Sequence, residues 1–270
     1  MTGPPPGDVL DAFGVTGPLV PAESGMGTTW IAGDVVVKRV GDEAEHAWVS
    51  EVYDGWSGAE VAVARPLRVG EGWSFEGWGA QSRLAGVTAR AGDDPSWFRD
   101  VHVAFHDCVA GLGRPAFLDV RDDPWTYGER VAWEGAVPEG DAETLSLLTR
   151  ALARLEPVEA EDQVVHGDLG GNVLRDGDRA AVIDWPPYWR PPDWALAVVA
   201  TDAVCWEGAD VSLLDDWSTG DRWPQLLLRA AIYRLATRGR RQVRGQVPVG
   251  SGGYVAAEGR LLELVEERLR

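Results

Sequence analysis

The chain is poor in cysteine, in long apolar runs and in positive charge, and each shortage excludes something. Its two cysteines, Cys108 and Cys205, stand far apart in apolar helical contexts. That spacing argues against a disulfide framework or a thiolate metal site, and both read as buried thiols of a cytoplasmic protein. No stretch approaches the roughly 18 apolar residues that a membrane-spanning helix needs. The opening MTGPPPGDVLDAFGV has neither a basic region nor an apolar core, so it does not read as a secretory signal. Its PPPG reads as an unstructured lead-in. Against 43 acidic residues stand only 25 basic ones, a net charge of −18. Such a surface repels phosphate backbones, so nucleic acid is not an expected partner, whereas cationic small molecules would be attracted. The one basic cluster, RLATRGRRQVRG at 234–245, reads as a solvated helix end. There is no internal repeat and no low-complexity tract.

What is present is a soluble, globular composition. The 270 residues are 45% hydrophobic and 25% charged, enough for one large domain or two lobes with real cores. Short β-like runs dominate the first third. TTWIAGDVVVKRV (28–40) predicts two strands around a turn at Ala32-Gly33-Asp34. Gly41-Asp42 opens a helix in which Trp48, Val52 and Trp56 recur every four residues on one face. AEVAVARPLRV and GWSFEGWGAQSRL predict further strands. After Leu84-Ala85-Gly86 the period becomes helical: Asp94-Pro95 starts one helix, Asp141 caps another, and more follow near 193–207, 223–239 and 255–270. The expectation is a small β-rich lobe with one helix over 1–84 and a larger helical lobe over 85–270.

One ordered set of residues carries chemistry. A strand holds Lys38 (VVVKRV), the next helix Glu45 (EAEHAW), a loop His166-Gly167-Asp168 with Asn172 (VVHGDLGGNVL), and an apolar segment Asp184 (AVIDW). In phosphoryl transfer a lysine and metal ions neutralise phosphate charge without reorganising in the transition state. A flexible lysine needs an anionic partner such as Glu45 to hold it. Asp168 would take or orient the proton of an attacking hydroxyl. Asn172 and Asp184 offer the hard oxygens that Mg²⁺ prefers.

The order and context resemble the aminoglycoside phosphotransferase family, and more narrowly an actinobacterial branch of that superfamily, through VVHGDLGGNVL and IDWPPYWRPPDWALAVV. The resemblance covers most of the chain and implies a bilobal, protein-kinase-like α+β fold. It implies ATP and Mg²⁺ as cofactors and transfer of the γ-phosphoryl group to a hydroxyl of a small molecule. Carried over residue by residue, it implies Asp168 as the catalytic aspartate with His166 beside it, and Asn172 with Asp184 on magnesium. Lys38 would sit on the phosphates with Glu45 as partner, Gly25 and Gly27 in the phosphate loop, and Gln81, Arg83 and Leu84 in the hinge that meets adenine. His166 is expected to brace the loop by donating to a backbone carbonyl. Tyr188, Trp189 and Arg190 are candidates for the acceptor pocket.

The chain also departs from that pattern. Asn172 lies four residues beyond Asp168 where the family has five, and Gly170-Gly171 could restore the geometry through positive φ. If they do not, the chain would be a nucleotide-binding regulator without catalysis; an interaction scaffold without nucleotide is a third reading. SGMGT at 24–28 is a thin phosphate loop, and Trp185-Pro186-Pro187 stiffens the segment after Asp184. His102 and His106, four apart, have a spacing that could hold zinc, yet no third ligand is evident and a packed pair is expected. Trp30, Trp48, Trp97, Trp133 and Trp206 are expected in the core. Asp193 is placed to cap the helix that follows it.

Overall fold

β-branched residues on both sides of Gly33 build the first hairpin, and the rest of the first unit grows on it. The structure, a computed structural model, describes residues 3–22, 27–247 and 252–270. From the N-terminus, α1 (Gly7–Ala12) leads to β1 (Val20–Pro21), β2 (Thr29–Ala32), β3 (Val35–Arg39) and α2 (Glu43–Asp54). Short strands follow: β4 (Val61–Val63), β5 (Ser74–Phe75), β6 (Trp78–Ser82) and β7 (Val87–Thr88). Next come α3 (Pro95–Val109), α4 (Pro124–Trp133), α5 (Ala142–Leu152), β8 (Gln163–His166), β9 (Val173–Asp176), β10 (Arg179–Val182) and β11 (Pro187–Arg190). The remaining helices are α6 (Pro192–Asp202), α7 (Leu213–Asp216), α8 (Trp223–Val243) and α9 (Gly252–Arg268).

The first unit comprises Met1–Ala89 and Asn172–Pro187. One sheet runs in the order β1-β2-β3-β6-β5 with antiparallel neighbours. Val9 and Phe13 of the α1 region pack with Val37, Trp78 and Ala80. Val9 and Val37 are fully buried, each contributing roughly 1.5–3 kcal/mol of burial. The expected loose lead-in is therefore shorter than the sequence suggested, because Pro5 is already buried and the helix starts at Gly7. A second sheet, β4-β10-β9-β7, explains why this unit is not a simple N-terminal segment ending at 84. β10 lies parallel to β4, and β9 pairs with β7, so the hairpin at 173–182 completes a sheet begun by strands a hundred residues earlier.

The second unit comprises Arg90–Gly171 and Tyr188–Arg270 and is mainly helical. Every residue of α6 from Trp194 to Asp202 is buried, so this helix is apolar almost all round, as a central helix must be. Its N-cap is Pro191 with Pro192 in the first turn. Asp193 is therefore inside the helix, correcting the cap expected there; its charge still favours the N-terminal dipole. The other caps hold: Asp42, Asp94 and Asp141 each accept a backbone N–H from the third residue on. Helix α4, which the sequence pattern did not mark, is set by Asp123 and Pro124. Asp123 accepts from the N–H groups of Trp125 and Thr126 at 2.8 and 3.0 Å and pairs with the buried Arg121 at 3.3 Å. No helix among the described residues is long and apolar enough to cross a membrane.

Replacing Asp123 by Ala removes a cap and one acidic partner of a buried guanidinium together. The expected loss is about 2 kcal/mol or more, read as a lower urea midpoint at unchanged slope.

Candidate active site

Strand β8 is buried from Val164 through His166, so the turn that leaves it must satisfy its polar groups internally. Histidines do this. The Asp168 peptide N–H donates to His166 Nδ1 at 3.1 Å. The His166 peptide N–H donates to His106 Nε2 at 3.2 Å, and His106 Nδ1–H donates to the His102 carbonyl at 2.7 Å. His166 thus ties down the loop by accepting the Asp168 N–H on Nδ1, which leaves Nε2–H as the ring's donor. The rings of His102 and His106 lie 4.1 Å apart in the interior, a packed pair. Gly167 is needed because Tyr188 lies directly against its Cα, where a side chain would collide with the ring. Gly171 takes φ +77°, while Gly170 has ordinary φ; only one of the two glycines uses the freedom expected of both.

Asp168 faces a cavity of about 520 Å³ inside the second unit, lined also by Gly170, Asp202, Trp206, Arg234 and Arg238. Arg234 donates to Asp168 Oδ1 at 2.5 Å. Its Nε also bonds both oxygens of Asp202, at 3.0 and 3.1 Å, and its Nη2 bonds Asp202 Oδ2. Burial works against the Arg234 charge, but Asp202 and then Asp168 outweigh it and raise its pKa well above the ordinary value. One turn along, Arg238 pairs with Glu258 of α9 at 2.5 Å, and burial pushes Glu258 up to about 7. These arginines begin the cluster expected to be a solvated helix end. The correction has a physical reason: α8 is buried on nearly every face from Trp223 to Gly239, so positions 234 and 238 have no solvated side. Trp206 is a second correction. It is 39% exposed, because a π-turn at Ala203–Glu207 interrupts the helical phase after α6 and carries the indole out to the cavity. The two cysteines are likewise less buried than expected, Cys108 exposed and Cys205 half-buried.

In the first unit, Lys38 Nζ lies 2.9 Å from Asp184 Oδ1. Glu45 sits half-buried in the first turn of α2, the helix that follows β3. The Asn172 carbonyl accepts the Ile183 N–H at 3.1 Å, so the β9–β10 hairpin brings Asn172 to the segment that carries Asp184. Trp185 anchors that segment, buried against Tyr53 and Trp48 with centroids at 5.7 and 5.4 Å. Two exposed counts sharpen the picture: Lys38 is the chain's only lysine and Asn172 its only asparagine. In the expected hinge, Gln81 Nε2 donates to the Ile183 carbonyl at 3.3 Å and the Arg83 N–H to the Asp34 carbonyl at 2.7 Å. Leu84, past the strand's end, has no backbone partner among the described residues. Gly27 takes φ +73°; Gly25 lies outside the described residues.

Tyr188, Trp189 and Arg190 line a different cavity from that of Asp168, of about 460 Å³. Tyr188 is buried with its hydroxyl 3.3 Å from that of Tyr233, and Arg190 pairs with Glu129 and, at 2.6 Å, with Glu134. Among the described residues no three His, Cys, Asp or Glu side chains gather as a metal site. Asp184 and Asn172 nevertheless fit Mg²⁺ chemically: both are oxygen donors, and the Asp184 side chain is 63% exposed.

No family model and no curated protein matches the chain. Solved structures do. A thermostable mutant of aminoglycoside phosphotransferase APH(4)-Ia in its apo form superposes with a TM-score of 0.62 at 19% identity, covering 96% of this chain and 97% of that one. The choline/ethanolamine kinase family protein of Mesorhizobium loti gives 0.62 at 19%, covering 95% and 92%. An aminoglycoside phosphotransferase of Alicyclobacillus acidocaldarius gives 0.59 at 15%, covering 100% and 95%. A further APH(4)-Ia mutant was crystallised with AMP-PNP and hygromycin B. At these identities the likeness shows the fold, which is that of the kinase-like aminoglycoside phosphotransferases.

The histidine chain predicts a pH dependence. Burial above all, opposed by the His102 carbonyl, brings the His106 pKa from 6.5 to about 3, and burial lowers His102 well below 6.5. The unfolded chain takes up these protons near pH 6.5, whereas the folded chain does not. Stability is therefore full above pH 6.5 and falls as the pH drops from there toward 3, by up to about 1.4 kcal/mol per pH unit for each group. The melting temperature measured from pH 7 to 4 should follow. His106→Phe should flatten the slope while costing about 1–3 kcal/mol at pH 7, since it removes the acceptor of the buried His166 N–H.

Proposed function

We propose that this chain is an ATP-dependent phosphotransferase that moves the γ-phosphoryl group to a hydroxyl of a small molecule. The carrying observation is the pairing of Lys38 with Asp184. The only lysine in the chain is held at 2.9 Å by the acid read as a metal ligand, and the only asparagine enters the same segment's hairpin. Arg cannot replace Lys where a compact, rotatable ammonium must follow a phosphate. The fold supports the reading, as does the open backbone edge at Leu84, where an adenine ring would find a donor and an acceptor.

In the proposed reaction Lys38 holds the phosphates. Asn172 and Asp184 would hold Mg²⁺, which when bound supplies positive charge to the phosphate oxygens. The acceptor enters the cavity that exposes Trp206 and Asp168. Asp168 takes the hydroxyl proton as the new P–O bond forms and the bond to the bridging oxygen breaks, releasing ADP. The short D-L-G-G-N loop favours one second reading, nucleotide binding without transfer.

Thermal melting with ATP, with and without Mg²⁺, tests binding; saturation at 100 times Kd would add about 2.7 kcal/mol. The expected outcome is a shift that Lys38→Met reduces and Asp184→Ala frees of its Mg²⁺ dependence. Because Lys38 is the only side-chain amine, an amine-directed reagent should label it, and ATP should protect it. With an acceptor found by screening hydroxyl compounds, Asp168→Ala should bind ATP yet lose about 10²–10⁴-fold in turnover. Unchanged turnover in that variant rejects the role given to Asp168. ATP binding without turnover on any acceptor favours the second reading.

A further inference from the structure

The mechanism above uses Asp168 and leaves unexplained why a buried arginine is bound to it. Arg234 comes from the middle of α8, and its guanidinium is shared by two acids of different standing. Asp202, at the end of α6, receives Nε on both oxygens and Nη2 on Oδ2. Asp168 receives Nη2 on Oδ1 alone, at 2.5 Å. The Asp202 contact fixes the plane of the fork, and the Asp168 contact is what that plane then reaches. Tyr233 lies against the guanidinium face at 4.8 Å to the ring centre. The side chains of Arg234 and Asp202 are 10% and 11% exposed, whereas Asp168 is 37% exposed toward the cavity. Two buried groups thus hold a third that meets solvent.

We propose that Arg234, anchored by Asp202, is a positioning residue that sets the rotamer and charge balance of the Asp168 carboxylate for the incoming hydroxyl. The inference rests on reading Asp168 as the base of the proposed transfer. An arginine suits the task because its planar fork can bond one carboxylate through two nitrogens and still reach a second. Sharing matters as much as contact. A guanidinium given wholly to Asp168 would hold its negative charge and oppose proton uptake; with Asp202 drawing on the same cation, the cluster of three keeps one net negative charge. Burial raises the Asp202 pKa and Arg234 opposes the rise, so the two are mutually dependent. Other charges face the cluster. Arg238 and Tyr233 come from α8, Glu258 from α9, and Cys205 and Glu207 from the π-turn; Glu258 is engaged by Arg238, and Glu207 interacts with Arg90.

The test is the pH profile of turnover, with ATP and a hydroxyl acceptor, in wild type, Arg234→Met, Arg234→Lys, Asp202→Asn and Asp168→Ala. Arg234→Met should lower kcat about 100-fold with KM for ATP within about twofold, the scale of a misplaced catalytic group. Arg234→Lys should recover part of kcat. The acidic limb of the profile should move in opposite directions: to higher pH in Arg234→Met, which removes a neighbouring cation, and to lower pH in Asp202→Asn, which removes a competing anion. A residue that only supported the fold would not produce opposed shifts. Arg234→Met leaves Asp202 buried without its cation, so if it does not fold, the double variant Arg234→Met/Asp202→Asn replaces it and should show the same fall in kcat. Loss of turnover in Asp168→Ala with unchanged kcat and limbs in the Arg234 and Asp202 variants overturns this proposal alone. Full turnover in Asp168→Ala removes its premise.

Discussion

A carboxylate can only be a dependable chemical group if the peptide that carries it is fixed, and here that peptide leaves a strand with no access to water. Val164, Val165 and His166 are fully buried, so the N–H groups that follow need partners from the protein itself. The chain supplies them with neutral imidazoles: Asp168 amide to His166, His166 amide to His106, and His106 to the carbonyl of His102. Helix α3 therefore sets where Asp168 sits, although it contributes nothing to the cavity lining around it. A neutral histidine is well fitted to this, since one ring nitrogen donates while the other accepts. Serine or asparagine would reach less far; a charged side chain would leave a buried charge uncompensated.

The charge distribution divides along the same line. The surface excess of acid says little about chemistry, because exposed charges are screened and individually weak. Several buried charges are paired, Arg234 with Asp202 and the partly exposed Asp168, Arg238 with Glu258, Arg190 with Glu129, while Arg229 donates to the carbonyls of Ala132 and Glu156. Such pairs are poor sources of net stability, because desolvation offsets most of the attraction. Their value is geometric. A guanidinium shared between the buried Asp202 and the partly exposed Asp168 has few arrangements that keep both contacts, and that scarcity fixes α6, α8 and the turn at Asp168 in one register.

Much of this was legible in the sequence, and the failures are instructive. The hairpin around Gly33, the Asp-capped helices and the phase of the helical region follow from local rules, turn chemistry and period. The kinase-like fold followed from HGD and IDW in their order. What local rules could not show was long-range. β4 read correctly as a strand and β7, just past the last expected strand, did not; the partners of both lie at 173–182, so the first unit is discontinuous. Arg234 and Arg238 read as solvent-facing because basic residues usually are. Their setting within LLLRAAIYRLATR was the missed signal: arginines in a stretch this apolar are buried with it and need internal acceptors, which are acids for Arg234 and Arg238 and carbonyls for Arg229. Trp206 failed for the opposite reason, since a π-turn shifts phase without leaving a mark in the pattern. The contact of Asp184 with Lys38 could not be read locally, because the two residues are 146 positions apart.

Composition held one further signal, in the two residue types that occur only once. A chain with one lysine among 25 basic residues uses arginine wherever a cation must simply be a cation. The exception sits in β3, where the ammonium is 26% exposed and bound to a carboxylate 63% exposed, a pair weak enough to exchange partners. An arginine there would fork onto Asp184 and hold it, which is what Arg234 does to Asp202 where permanence serves. Asparagine follows parallel logic. Aspartate at 172 would supply the same kind of oxygen, but it would add a second negative charge beside the segment of Asp184. If a triphosphate and Mg²⁺ bind as proposed, they bring several negative phosphate charges, and a neutral amide at 172 would donate oxygen without deepening the repulsion. Both substitutions that the chain's own bias would favour are thus the ones that phosphate chemistry resists.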